Sequence, residues 1–274
     1  MTDGDEIYLK RVDANGEMLR LRLVDYGGVG RVALLLHGLA GAAHEWRDTA
    51  AWLSKTHHVY ALDQRGHGGS SKGLASFARR DFVADVVATI EAITSEPVLL
   101  IGQSHGGVTA FLVAAQHLEL VSLLIVIEAG IACDPDAPRT IARWLESWPL
   151  PFADRASAQI FFGGKSNAAR VWSEMLEETA DGWRPPFYCD DILASVRDGE
   201  NVRDYADDWR RVACPTLIVV GESGWIGHEI EQMIALNGRA KAEVVPRAGH
   251  DVHLDKPDLW RSSVQKFLGE ECAR

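Results

Sequence analysis

Five short apolar runs, separated by stretches with helical spacing, limit what this chain can fold into more than any other feature. Residues 32–36, 59–62, 98–101, 123–127 and 217–220 are continuously apolar, and each run ends at Gly, Asp, Glu or His. A strand with one wet face would alternate apolar and polar residues. An unbroken run of four or five residues suits a strand buried on both faces. Between these runs, residues 46–54, 82–93, 107–116 and 259–268 repeat their apolar positions at helical intervals. Strand and helix alternate, which predicts an α/β fold with a mostly parallel sheet between two layers of helices. Ahead of this pattern, residues 7–12 and 19–24 flank Asn15-Gly16, a turn pair suited to a hairpin of two antiparallel strands.

The interval 131–212 breaks the rhythm. It is too long for a plain loop and carries Trp144, Trp148, Phe152, Phe161, Phe162, Trp172, Trp183, Phe187 and Tyr188. We read it as a mainly helical cap inserted into a core formed by residues 1–130 and 213–274. A chain of 274 residues fits one such core with one insertion. Hydrophobic residues at 47% and charged residues at 24% allow a sizeable buried core. The net charge of −11, with no Lys/Arg cluster, argues against nucleic acid and anionic membrane surfaces as partners. The first ten residues are acidic and polar, and no apolar run reaches transmembrane length, so a cytoplasmic location is expected. Cys133, Cys189, Cys214 and Cys272 are far apart and lack ligand-like spacing to His. They read as four isolated buried thiols, with neither a metal site nor a disulfide framework.

The chemistry concentrates where the run 98–101 enters Gly102-Gln103-Ser104-His105-Gly106 and a helical segment follows. Glycines on either side permit a sharp turn and close approach of neighbouring elements, which presents the Ser104 hydroxyl above the sheet edge. A serine hydroxyl is a poor nucleophile unless a base removes its proton, so a histidine must come from elsewhere in the chain. Of the ten histidines, His250 follows a late strand at 242–245 and precedes the last helix, with His253 as its neighbouring rival. His37-Gly38-Leu39 follows the run 32–36. Backbone N–H groups fixed there can stabilise a developing oxyanion, and Leu39 and His105 are the expected donors.

Together these motifs resemble the α/β-hydrolase superfamily over nearly the whole chain. The resemblance is carried by His37-Gly38, by Asp63-Gln64-Arg65-Gly66-His67-Gly68-Gly69-Ser70, and by Gly102-Gln103-Ser104-His105-Gly106. Pro215-Thr216-Leu217-Ile218-Val219-Val220-Gly221 and Gly249-His250 complete it in the same order. It implies Ser104 as nucleophile and His250 as general base, with the segment 63–70 as a structural turn beside the site. Most relatives carry the acid in a Gly-x-x-Asp arrangement after the strand at 217–220, but this chain reads Gly221-Glu222-Ser223-Gly224. A minority carry it one strand earlier, and Ile127-Glu128-Ala129-Gly130 is similar to the Glu-Ala segment of haloalkane dehalogenases with a Glu there. That resemblance assigns Glu128 as the acid, with Glu222 and then Asp251 as alternatives.

Dehalogenases and epoxide hydrolases form their ester through an Asp nucleophile, and a serine stands here instead. A Ser-His-carboxylate set suits acyl transfer, so the expected activity is hydrolysis of a carboxylic ester or lactone through an acyl-enzyme, with no metal or organic cofactor. The aromatic cap, with Trp144 and Trp183, together with Trp46 and Trp225 near the catalytic loops, suggests an apolar pocket for a bulky acyl or ring substrate, a small-molecule apolar or aromatic ester or lactone. An acyltransferase or carbon–carbon bond hydrolase would use the same residues, and a ligand-binding protein with little turnover could keep the fold alone.

Overall fold

The computed structural model describes residues 4–132, 134–197 and 203–273. The chain opens with β1 (Asp5–Val12) and β2 (Met18–Gly28), paired antiparallel across the Asn15-Gly16 turn. The five apolar runs become β3 (Val32–Leu36), β4 (His58–Leu62), β5 (Val98–Gln103), β6 (Val121–Ile127) and β9 (Thr216–Gly221). With β10 (Ala240–Val245) they complete an eight-stranded sheet of order β1-β2-β4-β3-β5-β6-β9-β10, parallel from β4 onwards.

Successive side chains of a strand point to opposite faces, and both faces are dry here. Leu34 and Leu36, Val98 and Leu100, Leu124 and Val126, and Ile218 and Val220 enter one core. Their neighbours Ala33 and Leu35, Leu99 and Ile101, Ile125 and Ile127, and Leu217 and Val219 enter the other. The first core is closed by α2 (Arg79–Ile93) through Val83, Val86 and Ile90, and by α3 (Ser104–Gln116) around Phe111. The second is closed by α1 (Arg47–Leu53) and the final helix α11 (Pro257–Cys272), whose Trp260, Val264 and Phe267 recur at helical spacing. Each fully buried Leu, Ile or Val contributes roughly 1.5–3 kcal/mol. Leu100→Ala, with no exposed surface to relax into, would cost about 2–5 kcal/mol.

Between β6 and β9 lie α4 (Ala137–Glu146), α5 (Arg155–Phe161), α6 (Asn167–Glu174), a small hairpin of β7 (Glu177–Thr179) and β8 (Gly182–Arg184), α7 (Cys189–Arg197) and α8 (Ala206–Arg211). The fold of this segment is local at first: Asp154 caps α5 by accepting from Ser157 N–H at 2.7 Å. Its own small core then gathers Leu145, Trp148, Phe152, Phe187 and Ile192. The returning α8 differs from the rest of the insertion. Trp209 packs edge-on to Phe111 within the first sheet core and donates from Nε1 to the Met233 carbonyl at 2.8 Å. Residues 205–212 therefore pack with the sheet layer rather than with the aromatic cluster above it.

The thiols differ from the expectation of four buried groups. Cys272 is exposed at the end of α11, where the amphipathic helix turns its outer side to solvent, and Cys189 and Cys214 are half-buried. Burial pushes the Cys214 thiol up to about 11. Cys133 lies outside the described residues. Among the described residues no helix is long and apolar enough to cross a membrane.

Candidate active site

Parallel strands bring their C-terminal ends to one edge, so the loops after β3, β5, β6, β9 and β10 converge there. Backbone strain collects at the same edge. Among the described residues four non-glycine positions have positive φ: Ala40 at 63°, Ser104 at 50°, Glu128 at 49° and Arg247 at 56°. All four sit in these loops, in a region that L-residues enter at a cost of order 1 kcal/mol or more. The turn at Ser104 depends on its glycines. A Cβ on Gly102 would lie 2.3 Å from the Gly106 carbonyl oxygen, and one on Gly106 would lie 2.3 Å from that of His37.

Glu128 follows β6 directly and is 1% exposed. Its Oε1 accepts from Gly221 N–H at 2.8 Å and its Oε2 from Trp225 N–H at 2.8 Å. The same Oε2 lies 3.3 Å from His250 Nδ1. An ionised carboxylate only accepts, so this contact puts the ring proton on Nδ1 and leaves Nε2 as the basic nitrogen. Trp225 stacks on the imidazole with centroids 3.8 Å apart at 16°, which fixes the plane of the ring. The His250 loop is tied down by Gly249 N–H donating to Asp255 at 2.8 Å and by Gln103 Nε2 donating to the His250 carbonyl at 3.2 Å.

The structure explains the missing Asp of Gly221-Glu222-Ser223-Gly224. A Cβ at Gly224 would lie 1.9 Å from Glu128 Oε1, so the Glu128 carboxylate occupies the space that a side chain at 224 would need. Glu222 is exposed and accepts from Arg247 N–H at 2.9 Å, away from His250. Asp251 is engaged by Gln103 Nε2 at 3.3 Å and by Trp172 Nε1 at 3.1 Å. His253 is buried against Trp46, with ring centroids 4.4 Å apart, and burial lowers it to about 4.

The loop carrying Leu39 is fixed by two buried imidazoles. His37 Nε2 accepts from Gln64 N–H at 3.0 Å while Nδ1 donates to the Gly38 carbonyl at 2.7 Å. His67 Nε2 accepts from Ala40 N–H at 3.1 Å while Nδ1 donates to the Arg65 carbonyl at 2.9 Å. Desolvation holds both neutral, lowering His37 to about 4 and His67 to about 3. Asp63 accepts from Ala43 N–H at 2.6 Å and Gly69 N–H at 2.7 Å, so the 63–70 segment braces these loops.

Leu39, Ser104, His105, Glu128 and His250 line one cavity of about 1130 Å³. Trp144 and Trp225 line it as well, with Phe161, Phe162 and Trp172. Trp46 and Trp183 do not. Trp46 has no exposed surface and fills the second sheet core, because the short helical turn ahead of α1 points it inward. Trp183 is on the β8 hairpin, paired with Phe152 and covered by the Arg155 guanidinium at 4.4 Å. Sequence reasoning gave no role to Gln103 or Gly224. The signal for Gly224 was in view, since a glycine at the position vacated by the acid left room for another carboxylate.

The chain belongs to the alpha/beta hydrolase family, whose sequence profile matches residues 33–261. Among individual proteins it is similar to a 2-(acetamidomethylene)succinate hydrolase from Mesorhizobium japonicum, 24% identical over 96% of each chain. It is also similar to a fluoroacetate dehalogenase from Burkholderia sp., 26% identical over 89% of each chain. A crystal structure of E-2-(acetamidomethylene)succinate hydrolase shares the fold with a TM-score of 0.86 and 22% identity, over 97% of this chain and all of that one.

Proposed function

We propose that this hydrolase-family chain is a serine hydrolase that cleaves a carboxylic ester or lactone through an acyl-enzyme. The observation that carries the reading is the Glu128–His250 contact beside the strained Ser104 turn, in one cavity. His250 Nε2 takes the Ser104 proton as Oγ attacks the substrate carbonyl. Glu128 holds the imidazole tautomer and balances the imidazolium that forms. The N–H groups of Leu39 and His105 receive the oxyanion, and the imidazolium then protonates the leaving oxygen. Water, activated by the same His250, attacks the acyl-enzyme and restores Ser104. Trp144, Phe161, Phe162 and Trp172 offer an apolar wall for the substrate body.

The similarity to a 2-(acetamidomethylene)succinate hydrolase, whose named substrate carries an acetamido group, supports a second reading, in which the same residues cleave an amide-type C–N bond. A panel of p-nitrophenyl esters of rising chain length, with aryl lactones and N-acyl enamines, separates the two. Ester or lactone turnover should exceed enamine turnover, and Ser104→Ala and His250→Ala should each lower it by about 10⁴-fold or more. Near-wild-type turnover in folded Ser104→Ala would remove the assignment.

A further inference from the structure

Two arginines are buried beside the α3 face of the sheet, and the protein treats them differently. Arg65 makes a paired contact with Asp85, Nε at 2.7 Å from Oδ2 and Nη2 at 2.9 Å from Oδ1, with Asp81 at 3.8 Å. Arg79, the first residue of α2, is 6% exposed and lines the Ser104 cavity. Its Nη1 donates to the His105 carbonyl at 3.2 Å and to Thr109 Oγ1 at 3.0 Å, and the Tyr205 side chain, neutral like these two, is a further hydrogen-bond partner of the guanidinium. Its guanidinium carbon is 5.7 Å from the Phe82 ring centre. Among the described residues no carboxylate lies within ion-pair distance of Arg79, and its buried Nε has no hydrogen-bond partner among them. Both ring nitrogens of the adjacent His105 are likewise buried without a partner among the described residues.

A buried cation held by neutral groups alone has lost its hydration without gaining a counter-charge, which is costly. Buried polar atoms in native proteins are almost always satisfied, so three such orphans beside one reactive serine call for a ligand. The acidic groups on the cavity wall do not supply it. Glu128 is engaged by Gly221, Trp225 and His250, Glu229 by the N–H groups of Ile131 and Ala132, and Asp255 by Gly249. Asp251 is taken by Gln103 and Trp172, and Asp134 accepts from the Asp136 N–H. Burial raises the Glu45 carboxyl well above the usual carboxylate range, which disfavours its charged form.

We propose that the substrate carries a carboxylate, bound by the guanidinium of Arg79, in addition to the carbonyl attacked by Ser104. The inference rests on the serine-hydrolase reading for the second group and on Arg79 alone for the first. The substrate is then bifunctional: an anionic end on Arg79 and an apolar body against the cap aromatics. Guanidinium and carboxylate match in geometry, and in a desolvated site the loss of one partner costs about 30-fold in affinity or more.

Two arms test the proposal. In the first, calorimetry compares binding of hexanoate and its neutral isostere hexanamide to the intact chain, a measurement that needs no turnover. Hexanoate should bind about 30-fold or more tighter, Arg79→Gln should abolish that preference, and Arg79→Lys should retain part of it. Equal binding of the two probes, no binding of either, or an unchanged preference in Arg79→Gln overturns the proposal. In the second, kcat/KM is compared for mono-4-nitrophenyl adipate and 4-nitrophenyl hexanoate. The wild-type ratio should favour the charged ester, and it should collapse towards unity in Arg79→Gln through KM. If Arg79 merely props α3, both esters slow together, the ratio stands and the proposal fails. Absence of turnover on every ester would remove the hydrolase reading while the binding arm still decides Arg79.

Discussion

At the scale of single residues, two carboxylates compete for the same role, and their surroundings separate them. Glu128 is buried, accepts two backbone N–H groups and meets His250 Nδ1, whereas Glu222 faces solvent and its own loop. In the proposed mechanism Glu128→Gln keeps the size but removes the charge that supports the imidazolium, and its amide favours the wrong tautomer. Turnover should fall by about 10³–10⁴-fold, the scale of an Asp-to-Asn change in a serine protease triad. Glu222→Gln should stay within about threefold of wild type. Steady-state kinetics on one ester decides between them, and a severe loss in Glu222→Gln with mild loss in Glu128→Gln would reverse the assignment. The sequence offered Glu128 through the pattern around it, and the glycine at 224 was consistent with that choice. It could not show that Arg79 meets no carboxylate among the described residues, because the counter-charge of a buried cation is a tertiary fact.

At the scale of elements, the parallel strands were legible because burial on both faces leaves continuous apolar runs. Their crossover helices were legible through spacing, although α2 starts at Arg79 and α11 runs to Cys272, beyond the apolar positions that announce them. The three-residue strands β7 and β8 were not, since their residues are exposed or half-buried and carry no alternation to read. Nor was the destination of each tryptophan: Trp46 and Trp144 look alike in sequence, yet one fills the core and the other the cavity wall. Helix α6 docks on the sheet layer through ions. Glu174 accepts from Arg170 at 2.8 Å, Arg47 at 2.8 Å and His44 at 3.2 Å, and Arg170 reaches Asp48 at 2.9 Å. These groups are about a third exposed, so Glu174→Gln should change global stability by less than about 1 kcal/mol. Amide exchange across residues 167–174 should nevertheless accelerate, and 0.5 M salt should do the same to the wild-type chain. Unchanged exchange in α6 would show that aromatic packing alone seats it.

At the scale of the whole molecule, buried histidines link folding to protons. His37 and His253 are lowered to about 4, His67 to about 3, and His105 well below its ordinary value, in each case mainly by desolvation. Below pH 6.5 the unfolded chain takes up protons that the folded chain refuses. The stability these groups contribute is therefore complete above pH 6.5 and is lost as pH falls towards 4. Glu45 acts in the opposite sense: its raised carboxyl keeps a proton that the unfolded chain releases above pH 4.5. Four histidines outweigh one glutamate, so stability should decrease by several kcal/mol from pH 7 to pH 5. Urea unfolding at the two pH values checks this, and an unchanged midpoint would mean that these imidazoles reach solvent.

If Ser104 is an activated nucleophile in a Ser104-His250-Glu128 set, intact-mass spectrometry after exposure to a fluorophosphonate will register it. One adduct per chain is expected, on the peptide containing Ser104, absent in Ser104→Ala and formed far more slowly in His250→Ala and Glu128→Gln. A folded wild-type chain that takes up no label, or labels elsewhere while Ser104 stays unmodified, would contradict it.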